Sequence, residues 1–294
     1  MRQYTFFQKI DHNWLQSEFP NVFKERAEDS HKGTFGSLVI LGGSKGMQGA
    51  LVLAGQSALK MGCGKVYLGF VSEKKQSIDY IANSPEIMIR NYQDYFNKQI
   101  QLQAAVVGCG LGHSLLAQQI LQQSLLRWNI PIVLDADALN LLAKREITCQ
   151  LSATQHILTP HPLEAARLLH TTVEKIQSDR IQSAYQIAQQ YCANVILKGH
   201  QTIVYSLKDD SVYINQTGNS GLATAGTGDV LSGILGSLLA QGFPISESIK
   251  AGVFLHGLAA DWLVSKRIGP IGLTASEIID AVRDVRNQLT YHHY

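Results

Sequence analysis

Charge is scarce in this 294-residue chain: 25 Lys and Arg against 23 Asp and Glu leave a formal net charge of +2, with 16% of residues charged. No basic stripe argues for nucleic acid, and no acidic tail argues for a solvating segment. Cysteine is equally sparse. Cys63, Cys109, Cys149 and Cys192 stand far apart, with no CxxC and no histidine pairing nearby, which argues against a disulfide framework or a zinc site and suits reduced thiols. The N-terminal MRQYTFFQKIDHNWLQ lacks a signal peptide's apolar region because Gln8, Lys9 and Asp11 interrupt it. Apolar runs elsewhere are too short to span a membrane. A linker, a composition shift and an internal repeat are also missing. These absences leave a cytoplasmic protein, one domain over 1–294, whose partner is a small molecule rather than nucleic acid or membrane.

What the chain does have is alternation. After a polar opening of about thirty residues, short β-rich runs bounded by glycine or proline alternate with longer helical stretches. Strands are expected at 37–41, 65–71, 104–107, 131–134, 156–158 and 194–197, with a final hairpin of 202–206 and 211–215 turning through Lys208, Asp209 and Asp210. Helices are expected at 50–61, 114–127, 163–170, 178–192, 230–241, 245–266 and 275–285. The pattern predicts an α/β fold, a central, mostly parallel sheet flanked by helices. In such sheets the ligand lies beyond the carboxyl ends of the strands, so the loops that follow strands should carry the chemistry.

The most informative of these is Gly218 to Gly242, GNSGLATAGTGDVLSGILGSLLAQG. Ala225, Gly226, Thr227 and Gly228 are small enough for their amides to converge on an anion at a helix N-terminus. Asp229 follows directly. Two readings stand: a carboxylate that activates a hydroxyl beside the bound anion, or a simple helix cap. GGSKGMQG, after the first strand, lacks the Gly-Lys-Ser/Thr ending of a Walker loop. VVGCGLGHS departs from the dinucleotide fingerprint at His113, so Gly108 and Gly110 serve either a ligand or tight packing. Asp135 and Asp137 follow the strand PIVLD, and alternation would put both on one side, within reach of a hydroxyl or a hydrated magnesium ion; Asp137 as a cap is the other reading.

In LTPHPLE, two prolines stiffen the chain around His161 and place Glu164 in a first helical turn, where it either holds magnesium through water or stabilises the helix. In NVILKGHQTIV, Lys198 ends a strand where an ammonium can meet phosphate, and Gly199 lets the backbone pass close to a nucleotide. His256, Trp262 and Trp128 read as packing residues, and the terminal YHHY as a frayed end.

Taken in order, GGSKGMQGA, VGCGLG, LDADALN, TPHPLE, LKGHQT and NSGLATAGTGD resemble the motif series of the ADP- or ATP-dependent NAD(P)H-hydrate dehydratases of the ribokinase-like superfamily, from about His31 to near the C-terminus. The resemblance implies a ribokinase-like fold with helices on both faces of the sheet, and a homo-oligomer, often a tetramer. It implies dehydration of the S epimer of hydrated NADH or NADPH, with ADP or ATP as phosphoryl donor and Mg2+ as cofactor. Asp229 is then the catalytic base. Ala50, Gly112, His161 and Asp229 contact the hydrated dinucleotide, with Gly110 shaping the same loop. Lys198, Gly199, His200, Gln201, Thr202 and Gly228 contact the nucleotide, and the Ala225 to Gly228 amides form the anion hole. His161 fills the position where related vitamin kinases carry Asn ahead of the glutamate, which favours the dehydratases over a small-molecule kinase. The opening is too short for the epimerase domain that precedes some relatives.

Overall fold

The computed structural model describes residues 4–291 except 9, 73–77, 98–99, 145–146 and 148, and its polar opening is packed onto the fold. That segment forms α1 (Tyr4–Phe7) and α2 (His12–Glu18), the second begun by Asp11, whose side chain accepts from the Asn13 and Trp14 amides. Leu15, Phe19 and Val22 recur at helical spacing and are buried in one cluster with Phe254 and Leu258. The Glu247 carboxylate fixes the exit by accepting the Asn21 and Val22 amides at 2.7 and 2.8 Å.

From there strand and helix alternate as the sequence predicts. β1 (Ser37–Gly42), α3 (Gln48–Lys60) and β2 (Lys65–Phe70) make the first βαβ unit. β3 (Met88–Ile89), a two-residue strand too short to show a pattern, precedes β4 (Ala104–Val107) and α4 (Leu115–Arg127). β5 (Ile132–Leu134), α5 (Asp137–Ala143), β6 (His156–Leu158) and α6 (Pro162–Leu168) follow. α7 (Val173–Ser178) and α8 (Arg180–Tyr191) then lead to β7 (Asn194–Leu197). The hairpin of β8 (Ile203–Ser206) and β9 (Ser211–Ile214) gives way to α9 (Thr227–Ala240), α10 (Ile245–Ser265) and α11 (Ala275–Thr290).

The nine strands lie in the order β3-β2-β1-β4-β5-β6-β7-β8-β9. Pairing is parallel from β3 through β7 and antiparallel only at the hairpin. Both faces of the central strands are covered, so these strands are largely apolar: along β1, Val39 and Leu41 join one core while Leu38 and Ile40 join another. On one face α9 lies against α3 at backbone distance, because a Cβ on Gly233 would stand 2.1 Å from the Ala54 carbonyl oxygen. Ser57 Oγ adds a bond to the Val230 carbonyl at 3.0 Å, so the first turn of α9 is held firmly.

His256 is buried on α10, and burial lowers its pKa to about 4, which keeps it neutral in the core. Trp262 is buried as well, and Trp128 stacks on Phe96. Of YHHY only Tyr291 lies within the described residues. Among the described residues no helix is long and apolar enough to cross a membrane.

Candidate active site

α9 begins at Thr227, three residues ahead of the expected start, so Asp229 sits inside its first turn and no side chain caps that helix. The cap reading of Asp229 is therefore excluded. Gly226 takes the cap position at φ 89°, a left-handed conformation that glycine adopts without strain, and a Cβ there would meet Leu53 Cδ1 at 2.6 Å. The Val230 amide reaches back to the Gly226 carbonyl, while the Gly228 and Asp229 amides have no acceptor among the described residues. Two open donors thus stand at the positive end of the helix dipole. The lead-in is tied down by Asp261 of α10, which accepts the Gly218 amide at 2.8 Å and the Asn219 side chain at 2.9 Å.

Next to this turn stands a buried charge relay built from three strand ends. Lys198 Nζ, after β7, lies 2.8 Å from Asp135 Oδ1, after β5, and 3.9 Å from Glu164 Oε2, at the start of α6. Ser232 Oγ donates to the other Asp135 oxygen at 2.7 Å. Burial opposes the Asp135 charge, but the ammonium and the hydroxyl outweigh it and hold the carboxyl below its ordinary range. Lys198 is raised in turn: burial works against it, and Asp135 and Glu164 more than compensate. A Cβ on Gly228 would lie 3.5 Å from Lys198 Nζ, so the ammonium borders the glycine turn.

Among the described residues Asp229 has no ion-pair partner of its own. Burial first, and then the Asp135 charge, push its pKa from 3.8 to about 6, the range in which a carboxylate is both ionised at neutral pH and basic enough to accept a proton. The Cys109 thiol, fully buried in the turn after β4, hydrogen-bonds it and works in the opposite direction. One ligating atom from each of Cys109, Asp135 and Asp229 lies within 4.8 Å of the others.

The structure separates the two aspartates expected on one side. Ala136 between them adopts φ 50°, which breaks the extended alternation on which that expectation rested. Asp135 therefore faces Lys198, while Asp137 turns to the loop after β4, accepting the Gly112 amide at 2.8 Å and standing 3.3 Å from His113 Nε2. Asp137 is the first residue of α5 and does not cap it. On the same side, a Cβ on Gly110 would meet Met47 at 2.7 Å and Ala50 at 3.4 Å, and one on Gly112 would meet Ser44 Oγ at 3.2 Å. Ala50, Gly110 and Gly112 are thus brought together across the β1 and β4 ends.

His161 follows β6, at the head of α6, in a reciprocal cap with Glu164. Its Nδ1 accepts the Leu163 amide at 3.1 Å, so the ring proton is on Nε2, 3.3 Å from Glu164 Oε1. Glu164 Oε2 accepts the His161 amide at 2.8 Å. Burial and the nearby Lys198 lower the His161 pKa, and the imidazole is neutral.

The loop 198–202 has an anchor that the sequence did not reveal. Arg180, the first residue of α8, donates to the carbonyls of Leu197, Lys198, His200 and Gln201, the first at 3.0 Å. Gly199 at φ 143° is required there, since a Cβ would meet Arg180 Nη2 at 2.9 Å. Thr202 Oγ1 closes the turn on the Gly199 carbonyl at 3.0 Å. Arg180 lies about twenty residues upstream, and no local spacing links it to this loop.

Known proteins share the sequence and the fold. A family model described as NAD(P)H-hydrate dehydratase matches residues 38–283. An ADP-dependent (S)-NAD(P)H-hydrate dehydratase of Neisseria meningitidis serogroup B is 50% identical over 275 residues, 92% of each chain. A bifunctional NAD(P)H-hydrate repair enzyme of Escherichia coli is 36% identical over 90% of this chain, which spans 50% of that protein. Among solved structures, the ADP/ATP-dependent NAD(P)H-hydrate dehydratase of Bacillus subtilis co-crystallised with ATP/Mg2+ superposes with a TM-score of 0.76 at 29% identity, covering 90% of this chain and 94% of that one. A ribokinase-like superfamily protein of Enterococcus faecalis gives a TM-score of 0.81 at 26% identity over 95% of both chains. The fold is ribokinase-like.

Proposed function

This chain belongs to the NAD(P)H-hydrate dehydratase family, and from that premise we propose that it dehydrates the S epimer of hydrated NADH or NADPH with ADP as the preferred phosphoryl donor. The observation that carries the reading is Asp229, a carboxylate with a pKa of about 6 placed in a first helical turn among open amides. A bound phosphate alone would be repelled by it; a hydroxyl about to attack that phosphate needs it.

In this reading Asp229 takes the proton from the substrate hydroxyl as its oxygen attacks the terminal phosphorus of the donor. The bond from that phosphorus to the bridging oxygen breaks, and AMP leaves; with ATP the leaving group is ADP. Charge developing on the transferred group meets the Gly228 and Asp229 amides and Lys198, fixed in place before the reaction. The phosphate ester then departs as inorganic phosphate, pushed by the ring nitrogen's lone pair, and loss of a proton from the adjacent ring carbon restores the double bond. Neutral His161 and the Ala50, Gly110 and Gly112 surface hold the hydrated ring, while 198–202 receives the nucleotide.

The residues fit magnesium as well. Glu164 is a hard oxygen donor that accepts the His161 amide and lies 3.3 Å from His161 Nε2, where a carboxylate has room for about four bonds, so it can hold the ion through water. When bound, the ion would neutralise charge on the donor's phosphates. The reading includes a homotetramer in the cytoplasm.

Product analysis tests it. Hydrated NADH, ADP and magnesium should yield NADH, AMP and inorganic phosphate in equal amounts. A phosphorylated product that persists would assign the site to a kinase instead.

A further inference from the structure

Four carboxylates, Asp135, Asp137, Glu164 and Asp229, crowd the reacting end of the site. The cation among them, Lys198, is engaged with Asp135, and Arg180 is committed to backbone carbonyls. A hydrated dinucleotide nevertheless carries at least two negative charges on its pyrophosphate, and NADPH hydrate adds a 2′-phosphate. Its phosphates need positive charge from elsewhere.

A cleft between α5 and α6 offers it. The cavity has a volume of about 630 Å3, within the range of small-molecule sites, and among the described residues no Asp or Glu lines it. Lys144 ends α5, Arg167 lies in the last turn of α6, and His170, Thr171 and Thr172 follow. Arg167 commits one nitrogen to the protein, donating from Nη1 to Asn140 Oδ1 at 2.7 Å, which leaves the rest of its planar fork for an anion.

Two observations join this cleft to the active site. Its lining includes His113 and Leu163, the neighbours of Gly112 and of the capped His161 turn. The Arg167 charge also reaches both His161 and Glu164. The strand order β4-β5-β6-β7-β8 places the cleft on the β5 and β6 side, away from 198–202, so one ligand can lie in it while another occupies the nucleotide loop.

We propose that this cleft binds the phosphate-bearing adenosine half of the hydrated dinucleotide, with Arg167 and Lys144 as its charge partners. The proposal rests on the dehydratase reading above. It divides the molecule's two nucleotide-like ligands: the phosphoryl donor on the 198–202 loop, the substrate's adenosine phosphates between α5 and α6.

The test uses the full chain with saturating ADP, NADP+ as a stable probe titrated by calorimetry, and the kinetics of both hydrates. Arg167→Glu and Lys144→Glu should each weaken NADP+ about tenfold or more, the size expected for a lost charge-assisted contact. Both should raise the KM for hydrate with little change in kcat and leave the KM for ADP in place. Arg167→Lys should retain much of the affinity, and Lys208→Glu, in the distant β8–β9 turn, should match the parent. Should Arg167→Glu fail to fold by its melting curve, the exposed Lys144→Glu carries the test. Unchanged NADP+ affinity and unchanged hydrate KM in a parent background that converts hydrate would overturn the cleft alone. A parent that converts neither hydrate would remove the reading on which the cleft rests.

Discussion

Replacing Asp229 by asparagine should abolish turnover and at the same time stabilise the fold. The carboxyl has an ordinary pKa of 3.8 and is raised to about 6, by burial first and then by the Asp135 charge. A carboxyl raised on folding costs stability wherever the folded chain must carry its charge: the cost is absent below the unfolded value, grows between the two, and is complete above the folded one. A gap of about two units corresponds to about 3 kcal/mol at pH 8 and roughly half of that at pH 5. Asn keeps the shape without the ionisation. For a chain of this size, about 3 kcal/mol raises the melting temperature by about 5 °C. Melting curves of parent and Asp229→Asn, recorded at pH 5 and pH 8, read the effect directly. A variant less stable than the parent at pH 8, or a gain of the same size at both pH values, would refute the reasoning.

Other expectations follow from single contacts. Arg180→Ala should raise the KM for the phosphoryl donor about tenfold with a smaller loss of kcat, and Arg180→Lys should recover only part of it, because one ammonium cannot span four carbonyls. An equal fall in kcat and kcat/KM would contradict that positioning role. Cys109→Ala removes a hydrogen bond that lowers the Asp229 pKa, so the acidic limb of the kcat profile, near pH 6, should move upward; a limb that stays in place would sink the assignment. Leu15→Ala should destabilise the fold by about 2–5 kcal/mol in denaturant titration, since Leu15 is buried in the α10 core. A surface-like loss below about 0.5 kcal/mol would return the opening to a detached extension.

Much of this architecture was legible in the sequence because it rests on local signals. Glycine or proline stands next to or within two residues of each parallel strand except the two-residue β3, and the apolar runs match strands covered on both faces, so the alternation and the final hairpin appear where expected. Asp135, His161 and Lys198 were legible as candidates because each lies in a loop that follows a strand, whereas Ser232, inside α9, gave no such signal. What escaped depends on distant partners. Arg180 looks like an ordinary helix residue until folding brings the 198–202 loop over it, and Asp261 serves Gly218 from the middle of a helix. Asp135 and Asp137 were expected side by side because an extended chain alternates, and one left-handed residue, Ala136, sends them to different partners. The opening hid four core residues, Phe7, Leu15, Phe19 and Val22, among polar neighbours, and its short helices gain stability from packing rather than from propensity.

The most direct measurement is recovery of the NADH absorbance band when the purified chain meets S-epimer NADH hydrate, magnesium and either ADP or ATP. The account predicts recovery that requires a nucleotide, runs faster with ADP, and disappears in Asp229→Ala. No recovery with either nucleotide, on hydrate verified to contain the S epimer, would contradict it.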